Sequence, residues 1–204
     1  MNVENSVSIV TGSSSGVGAA TARMLAEKGG RVVINYSKSV DAARVVAAEC
    51  ESLGGDTLLC QADVANDDDC RRMVAEALKK WDRLDALVNN AGTTKFVQHA
   101  DMDGLDGADF QSIYGVNVIG PFQMVRAASN ALKASGDASV VNVASIAGVK
   151  GVGSSIAYAA SKGALITMTQ SLARVLGPEI RVNAVCPGFI KGEWLAEGMG
   201  RETY

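Results

Sequence analysis

The sequence holds a single histidine, His99, and four cysteines, Cys50, Cys60, Cys70 and Cys186, none of them in a C-x-x-C spacing. A zinc site has little to build on, and a Ser-His-Asp triad would have to recruit His99 from a polar segment. Thiols without a pairing pattern fit a reducing compartment. Strong charge of either sign is also missing: the formal net charge is −3 and charged residues make up 20% of the chain. That balance argues against disorder and against electrostatic binding to nucleic acid. No apolar run reaches the length that spans a bilayer, and Met-Asn-Val-Glu-Asn at the start lacks the basic and apolar regions of a signal peptide. The expectation is a cytoplasmic protein with small-molecule partners, no nucleic acid, no membrane and no metal.

At 204 residues, 48% of them hydrophobic, the chain reads as one domain over 1–204. Short apolar runs at 6–11, 31–36, 57–61, 84–89, 138–144 and 180–186 are rich in Val, Ile and Leu and read as buried strands. Between them, 16–28, 40–53, 67–81, 107–134 and 155–176 carry helical patterns. Such alternation predicts an α/β fold, a doubly wound parallel sheet in a three-layer αβα arrangement of the Rossmann type. Ligands of that architecture bind beyond the carboxyl ends of the strands. Polar or Gly-rich segments follow the first five runs, at 11–18, 37–39, 62–64, 90–92 and 145–148, and Pro187-Gly188 follows the last.

After the first strand stands Thr11-Gly12-Ser13-Ser14-Ser15-Gly16-Val17-Gly18, followed at once by a helical pattern. Glycines let backbone approach a pyrophosphate, and a helix start offers unpaired amide donors, so the phosphates of a dinucleotide belong here. Simple strand-to-helix punctuation is the competing reading, since the spacing departs from G-x-G-x-x-G. The second strand ends Asn35-Tyr36-Ser37-Lys38-Ser39, without the acidic residue that takes a ribose 2′-hydroxyl. Ser37 and Lys38 can donate to a 2′-phosphate instead, which favours NADP(H) and leaves NAD(H) open; a solvated Lys38 is the bland alternative. Asp63 and Val64, after the third strand, suit an adenine amino group or a turn equally well. Asn89-Asn90-Ala91-Gly92 supplies amides that brace one loop against the next, together with a small surface for a cofactor to cross.

Tyr158 and Lys162 lie four apart in the last helical pattern, on one face with about 6 Å of rise between them. A fixed ammonium there is expected to lower the phenol pKa toward the range useful for proton transfer. Asn117 lies in the 107–134 pattern four residues before Pro121, which has no N–H to give its carbonyl. A kink with an orphaned carbonyl is expected, serving either a bound water or packing alone.

TGSSSGVG at 11–18, Asp63, NNAG at 89–92, Asn117, Ser145, Tyr158 with Lys162, and Pro187-Gly188 appear in one order over 6–192. With this ordered set the chain resembles the classical short-chain dehydrogenases/reductases. The resemblance implies that Ser145 donates a hydrogen bond to a substrate carbonyl, Tyr158 supplies its proton, and Lys162 holds the nicotinamide ribose. It also implies that Asn117 anchors a water leading to solvent. Cofactor-binding positions under it are Gly12, Ser14, Ser15, Gly16, Val17, Gly18, Tyr36, Ser37, Lys38, Asp63, Val64, Asn90, Ala91, Gly92, Tyr158, Lys162, Pro187, Gly188 and Ile190. For Ser145 a capping role is the alternative. The substrate is a carbonyl or alcohol lined by 93–96 and 149–154, with 3-oxoacyl thioesters, sugars, steroids and small ketones all within the family's range. The family usually forms tetramers through the two long helices, so a homotetramer or dimer is expected.

Two departures stand out. Gly192 occupies the place of a family threonine that helps hold the nicotinamide carboxamide. The sequence also stops at Tyr204, early in the usual substrate lid and before the usual seventh strand, so six strands are expected and the domain is incomplete at its C-terminus relative to the family. A non-enzymatic NAD(P)-binding or interaction protein is the rival reading that this end motivates.

Overall fold

The computed structural model of the protein describes residues 2–192; Tyr204, which the sequence reading places early in a lid, lies outside them. Six strands, β1 (Val7–Val10), β2 (Arg31–Tyr36), β3 (Asp56–Gln61), β4 (Ala86–Asn89), β5 (Ala138–Val143) and β6 (Ile180–Val185), form one sheet in the order β3-β2-β1-β4-β5-β6. Every neighbouring pair is parallel. Helical crossovers separate the strands: α1 (Gly16–Glu27), α2 (Val40–Ser52), α3 (Asp67–Trp81), α4 (Gly107–Tyr114), α5 (Gly120–Ser135), α6 (Ile146–Lys150) and α7 (Ile156–Leu176). The strand order reverses between β1 and β4, the switch point where a crevice opens in such sheets.

Alternation along the strands divides the core into two layers. Val10, Val32 and Ile34 pack with Ala19, Ala22 and Ala26 of α1 and Ala43, Val46 and Cys50 of α2. Val7, Ile9 and Val33 pack on the opposite side with Met73 and Val74 of α3, Met124 and Ala128 of α5 and Leu172 of α7. Both faces are apolar because both are covered by helices, which is why these strands read as continuous hydrophobic runs. At its amino-terminal end the sheet is pinned by Asp85, 3% exposed, which accepts from the Val7 amide at 2.8 Å and pairs with Arg83.

Two local departures from the sequence reading bear on the site. The helix expected over 107–134 is divided by a π-helical turn, Gly115–Ile119, after which Gly120 and Pro121 start α5. The missing Pro121 N–H is thus absorbed by a widened turn joining two α-helices, instead of a kink in one helix. Segment 145–148, read as a loop, begins α6, whose five residues are too few to show a period. Between α6 and α7 there is no room for a side chain: a Cβ on Gly148 would collide with the Gly163 amide nitrogen and stand 2.5 Å from the Lys162 carbonyl carbon.

Gly148→Ala must therefore part the two helices. It should cost about 2 kcal/mol of unfolding free energy in chemical denaturation, as overpacking against backbone typically does.

Candidate active site

The loop after β1 is held from both sides. The Gly12 amide donates to Asn35 Oδ1 at 2.9 Å, and the Gly12 carbonyl accepts from Asn90 Nδ2 at 3.1 Å. Asn90 Nδ2 also donates to the Thr11 carbonyl at 2.9 Å, while Thr11 Oγ1 accepts from the Asn90 and Ala91 amides, both at 3.0 Å. The bracing expected of Asn90 is present. Gly12 has φ +62, and a Cβ there would meet Ala91 Cα at 2.9 Å, so glycine is required for the close approach of the two loops. Its amide is spent on Asn35, so Gly12 contributes shape and not a donor. Further along, Ser15 stands at the N-cap of α1 with no side-chain cap bond. The first-turn amides of Gly16, Val17 and Gly18 keep the donors that a helix start leaves unpaired. Nothing lies within 4 Å of where a Gly16 Cβ would stand, so the space before that helix start is open to an anion.

Tyr36 is half-buried, and Ser37 and Lys38 are exposed at the end of β2. The Ser37 carbonyl accepts from Gln61 Nε2 at 3.0 Å. Asp63 Oδ1 accepts from the Ala65 amide at 3.0 Å, forming the turn that competed with adenine binding, though the carboxylate remains exposed. Val64 is buried, and its carbonyl accepts from Gln123 Nε2 at 2.9 Å.

Beyond β5 the Ser145 hydroxyl makes the cap that the sequence offered as one of its two readings and also meets Tyr158. It caps α6 by accepting from the Ala147 amide at 3.1 Å, and it is hydrogen-bonded to the Tyr158 side chain. Tyr158 is positioned from its own helix: buried Ser155 caps α7, its Oγ accepting from the Tyr158 amide at 3.2 Å. Thr94 Oγ1 lies 2.7 Å from Ser154 Oγ, and the Val97 amide donates to the Ser154 carbonyl at 2.9 Å, which ties the two expected substrate walls together.

Lys162 is 4% exposed, and its Nζ donates to the Val143 carbonyl at 2.7 Å. Nζ stands 5.7 Å from the Tyr158 ring centroid. The expected lowering of the phenol pKa is not found in this state. Burial pushes the Tyr158 phenol up, opposed by the Ser145 hydrogen bond, while the Lys162 ammonium is turned to a carbonyl. Burial also brings Lys162 down to about 8. A Cβ on Gly92 would stand 3.5 Å from both Lys162 Nζ and Asn117 Oδ1, so the three positions meet. Asn117 is fully buried, its Oδ1 accepting from the Thr93 amide at 2.8 Å and its Nδ2 donating to the Thr93 carbonyl at 2.9 Å and to Ser161 Oγ at 3.0 Å. The Asn117 side chain thus holds the loop after β4 to α7.

After β6, the Pro187 carbonyl accepts from the Ile146 amide at 3.0 Å, while Gly188, Ile190 and Gly192 are exposed. His99 lines a cavity of about 290 Å³ with Ala147, Ile156 and Gly163, whose walls do not include Ser145 or Tyr158. Among the described residues no group of three or more His, Cys, Asp or Glu is placed to hold a metal. The same residues contain no helix long and apolar enough to cross a membrane. Sequence reasoning missed Asn35, although an Asn at the end of a buried apolar strand was its visible signal. It also missed the buried ladder in which Asn89 Nδ2 donates to Asn142 Oδ1 and Asn142 Nδ2 to Thr169 Oγ1, both at 2.8 Å.

A parallel sheet in this order, with a glycine-bearing turn and a helix start at its switch point, is a Rossmann-like α/β fold. Comparisons with known proteins narrow that class. The family described as short chain dehydrogenase matches residues 6–200. A protein assigned as ketoacyl reductase 2 of the granaticin polyketide synthase of Streptomyces violaceoruber is 46% identical over 94% of this chain and 75% of its own length. The 3-oxoacyl-acyl-carrier-protein reductase of Synechocystis sp. is 38% identical over 90% and 74%. Among solved structures, NAD+-bound xylitol dehydrogenase superposes with a TM-score of 0.90 at 30% identity, covering 98% of this chain and 76% of that one. The chain belongs to the short-chain dehydrogenase/reductase family, a family of NAD(P)-dependent oxidoreductases. The non-enzymatic rival is thereby set aside.

The buried lysine makes stability depend on pH. Its folded pKa lies below its unfolded value, so between about pH 8 and 10.5 the unfolded chain binds the extra proton and stability rises with pH. Measured by denaturation, wild-type stability relative to Lys162→Met should rise across that window by up to about 3 kcal/mol.

Proposed function

We propose that this protein is a cytoplasmic NADP(H)-preferring reductase that converts a carbonyl, of the 3-oxoacyl-thioester kind, to the alcohol, with the reverse oxidation along the same path. The carrying observation is the contact of Ser145 with Tyr158 beside the buried ammonium of Lys162. Relatives named as ketoacyl or 3-oxoacyl reductases support the substrate class. Residues 1–204 are read as one binding and catalytic unit.

A nicotinamide cofactor supplies the hydride when bound. Gly16, Val17 and Gly18 would hold its phosphates with Ser14 and Ser15, and Ser37 and Lys38 a 2′-phosphate. Asp63, Val64, Asn90, Ala91 and Gly92 would flank its adenosine and ribose, and Pro187, Gly188 and Ile190 the carboxamide. Ser145 orients the carbonyl oxygen through its hydroxyl. Tyr158, whose phenol burial pushes up, gives that oxygen its proton. The phenolate left behind is stabilised by the Ser145 hydrogen bond and by the Lys162 charge. Lys162 returns the proton, with the main-chain carbonyl of Asn117 anchoring a water toward solvent. Exposed Phe110, Ile119 and Phe122, all in the first of the two helical patterns expected at the interface, favour a homotetramer or dimer.

Tyr158→Phe should lower turnover on a 3-oxoacyl thioester by about 10³-fold while NADPH binding stays within a few-fold. Retained turnover would overturn the assignment. Lys38→Ala should raise the KM for NADPH roughly tenfold and leave that for NADH unchanged, as expected for a lost charge-assisted contact; equal effects on both would remove Lys38 from the 2′-phosphate site.

A further inference from the structure

Asn35 is 2% exposed, and every hydrogen-bonding group it carries is used. Its Oδ1 accepts from the Gly12 amide at 2.9 Å, and its Nδ2 donates to the Ala62 carbonyl at 3.1 Å and the Cys60 carbonyl at 3.3 Å. Its amide donates to Ser13 Oγ at 2.9 Å, and its carbonyl accepts from the Ser13 amide at 2.9 Å. One side chain therefore joins the loop after β1, which opens toward the phosphate position, to the end of β3, which leads directly into Asp63 and Val64. Gly12 is the sensitive point of that joint. Its peptide is gripped at the amide by Asn35 and at the carbonyl by Asn90, in a left-handed conformation against Ala91. Remove the Asn35 acceptor and a buried amide loses its partner. The loop can recover a partner for it only by rotating the peptide and displacing Ser13, Ser14 and Ser15 from their present path.

We infer that Asn35 is a positioning residue for the adenosine-diphosphate half of the cofactor, setting the phosphate loop and the adenine-flanking turn at a fixed separation before anything binds. This rests on the dinucleotide reading above. The Asn35 side chain faces the loop from beneath and bonds to nothing at Ser37 or Lys38, so its influence falls on the part shared by NADPH and NADH. Pre-setting a loop lowers the ordering cost of binding and leaves the hydride step untouched.

The test is calorimetric titration and steady-state kinetics of Asn35→Ala and Asn35→Asp with NADPH and NADH, with Lys38→Ala alongside. Asn35→Ala should weaken both cofactors by the same factor, about tenfold or more from the lost partner of a buried amide, with kcat at saturating cofactor within twofold of wild type. Asn35→Asp keeps the acceptor for Gly12 but sets a carboxylate oxygen against the Cys60 and Ala62 carbonyls. It should weaken both cofactors in equal proportion too, and it serves alone if Asn35→Ala does not fold. A fall in melting temperature with unchanged cofactor affinity would overturn the inference, as would a loss confined to NADPH or a loss of kcat. Wild-type protein that binds neither cofactor would instead overturn the dinucleotide reading beneath it.

Discussion

Backbone meets backbone where Gly148 of α6 passes Lys162 and Gly163 of α7, and the geometry of the site depends on that contact. Ser145 is fixed at the start of α6 by its own cap, and Tyr158 and Lys162 are fixed on α7 by the helix that carries them. The distance between these helices therefore decides whether the serine hydroxyl reaches the phenol. A side chain at Gly148 would collide with the α7 backbone and push the two helices apart. The strand ends add a second constraint: Lys162 reaches the carbonyl of Val143, so α7 is tied to the end of β5 by a buried ammonium as well as by apolar packing.

Parallel strands and crossover helices were legible in the sequence because burial on both faces leaves uninterrupted apolar runs, and the strand order places the following loops along one edge. Tyr158 and Lys162 were found by chemistry and spacing and Ser145 through the family resemblance, and the structure places the three beside one another. Legibility ended where a residue's role depends on partners far along the chain. Asn117 shows this: its side chain is committed to Thr93 and Ser161, positions 24 and 44 residues away, and no local pattern announces a π-helical turn held by such contacts. Asn35 is similar, since its partners come from two other strand ends. Segment 145–148 failed for another reason, being too short for a helical period to register.

The phenol shows how a sound local argument can give the wrong sign. Four residues of helical spacing do place Lys162 near Tyr158, but spacing fixes Cα positions and not the direction of a flexible side chain. The ammonium satisfies itself at a carbonyl, and desolvation then dominates both groups, pushing the phenol up and the lysine down. A buried acid and a buried base, each displaced against its own ionisation, form a pair that holds its protons differently from either group in water.

Ser155 carries a consequence of its own. By capping α7 it makes Tyr158 the third residue of that helix, inside the first turn. The aligned peptide dipoles of the 21-residue α7 place their positive end there. A phenolate formed at this position is met by a field built from the whole length of the helix, which needs no side chain to move and no counter-ion to arrive. The same field would be weaker one turn later, so the site of the negative charge is chosen by where the helix begins.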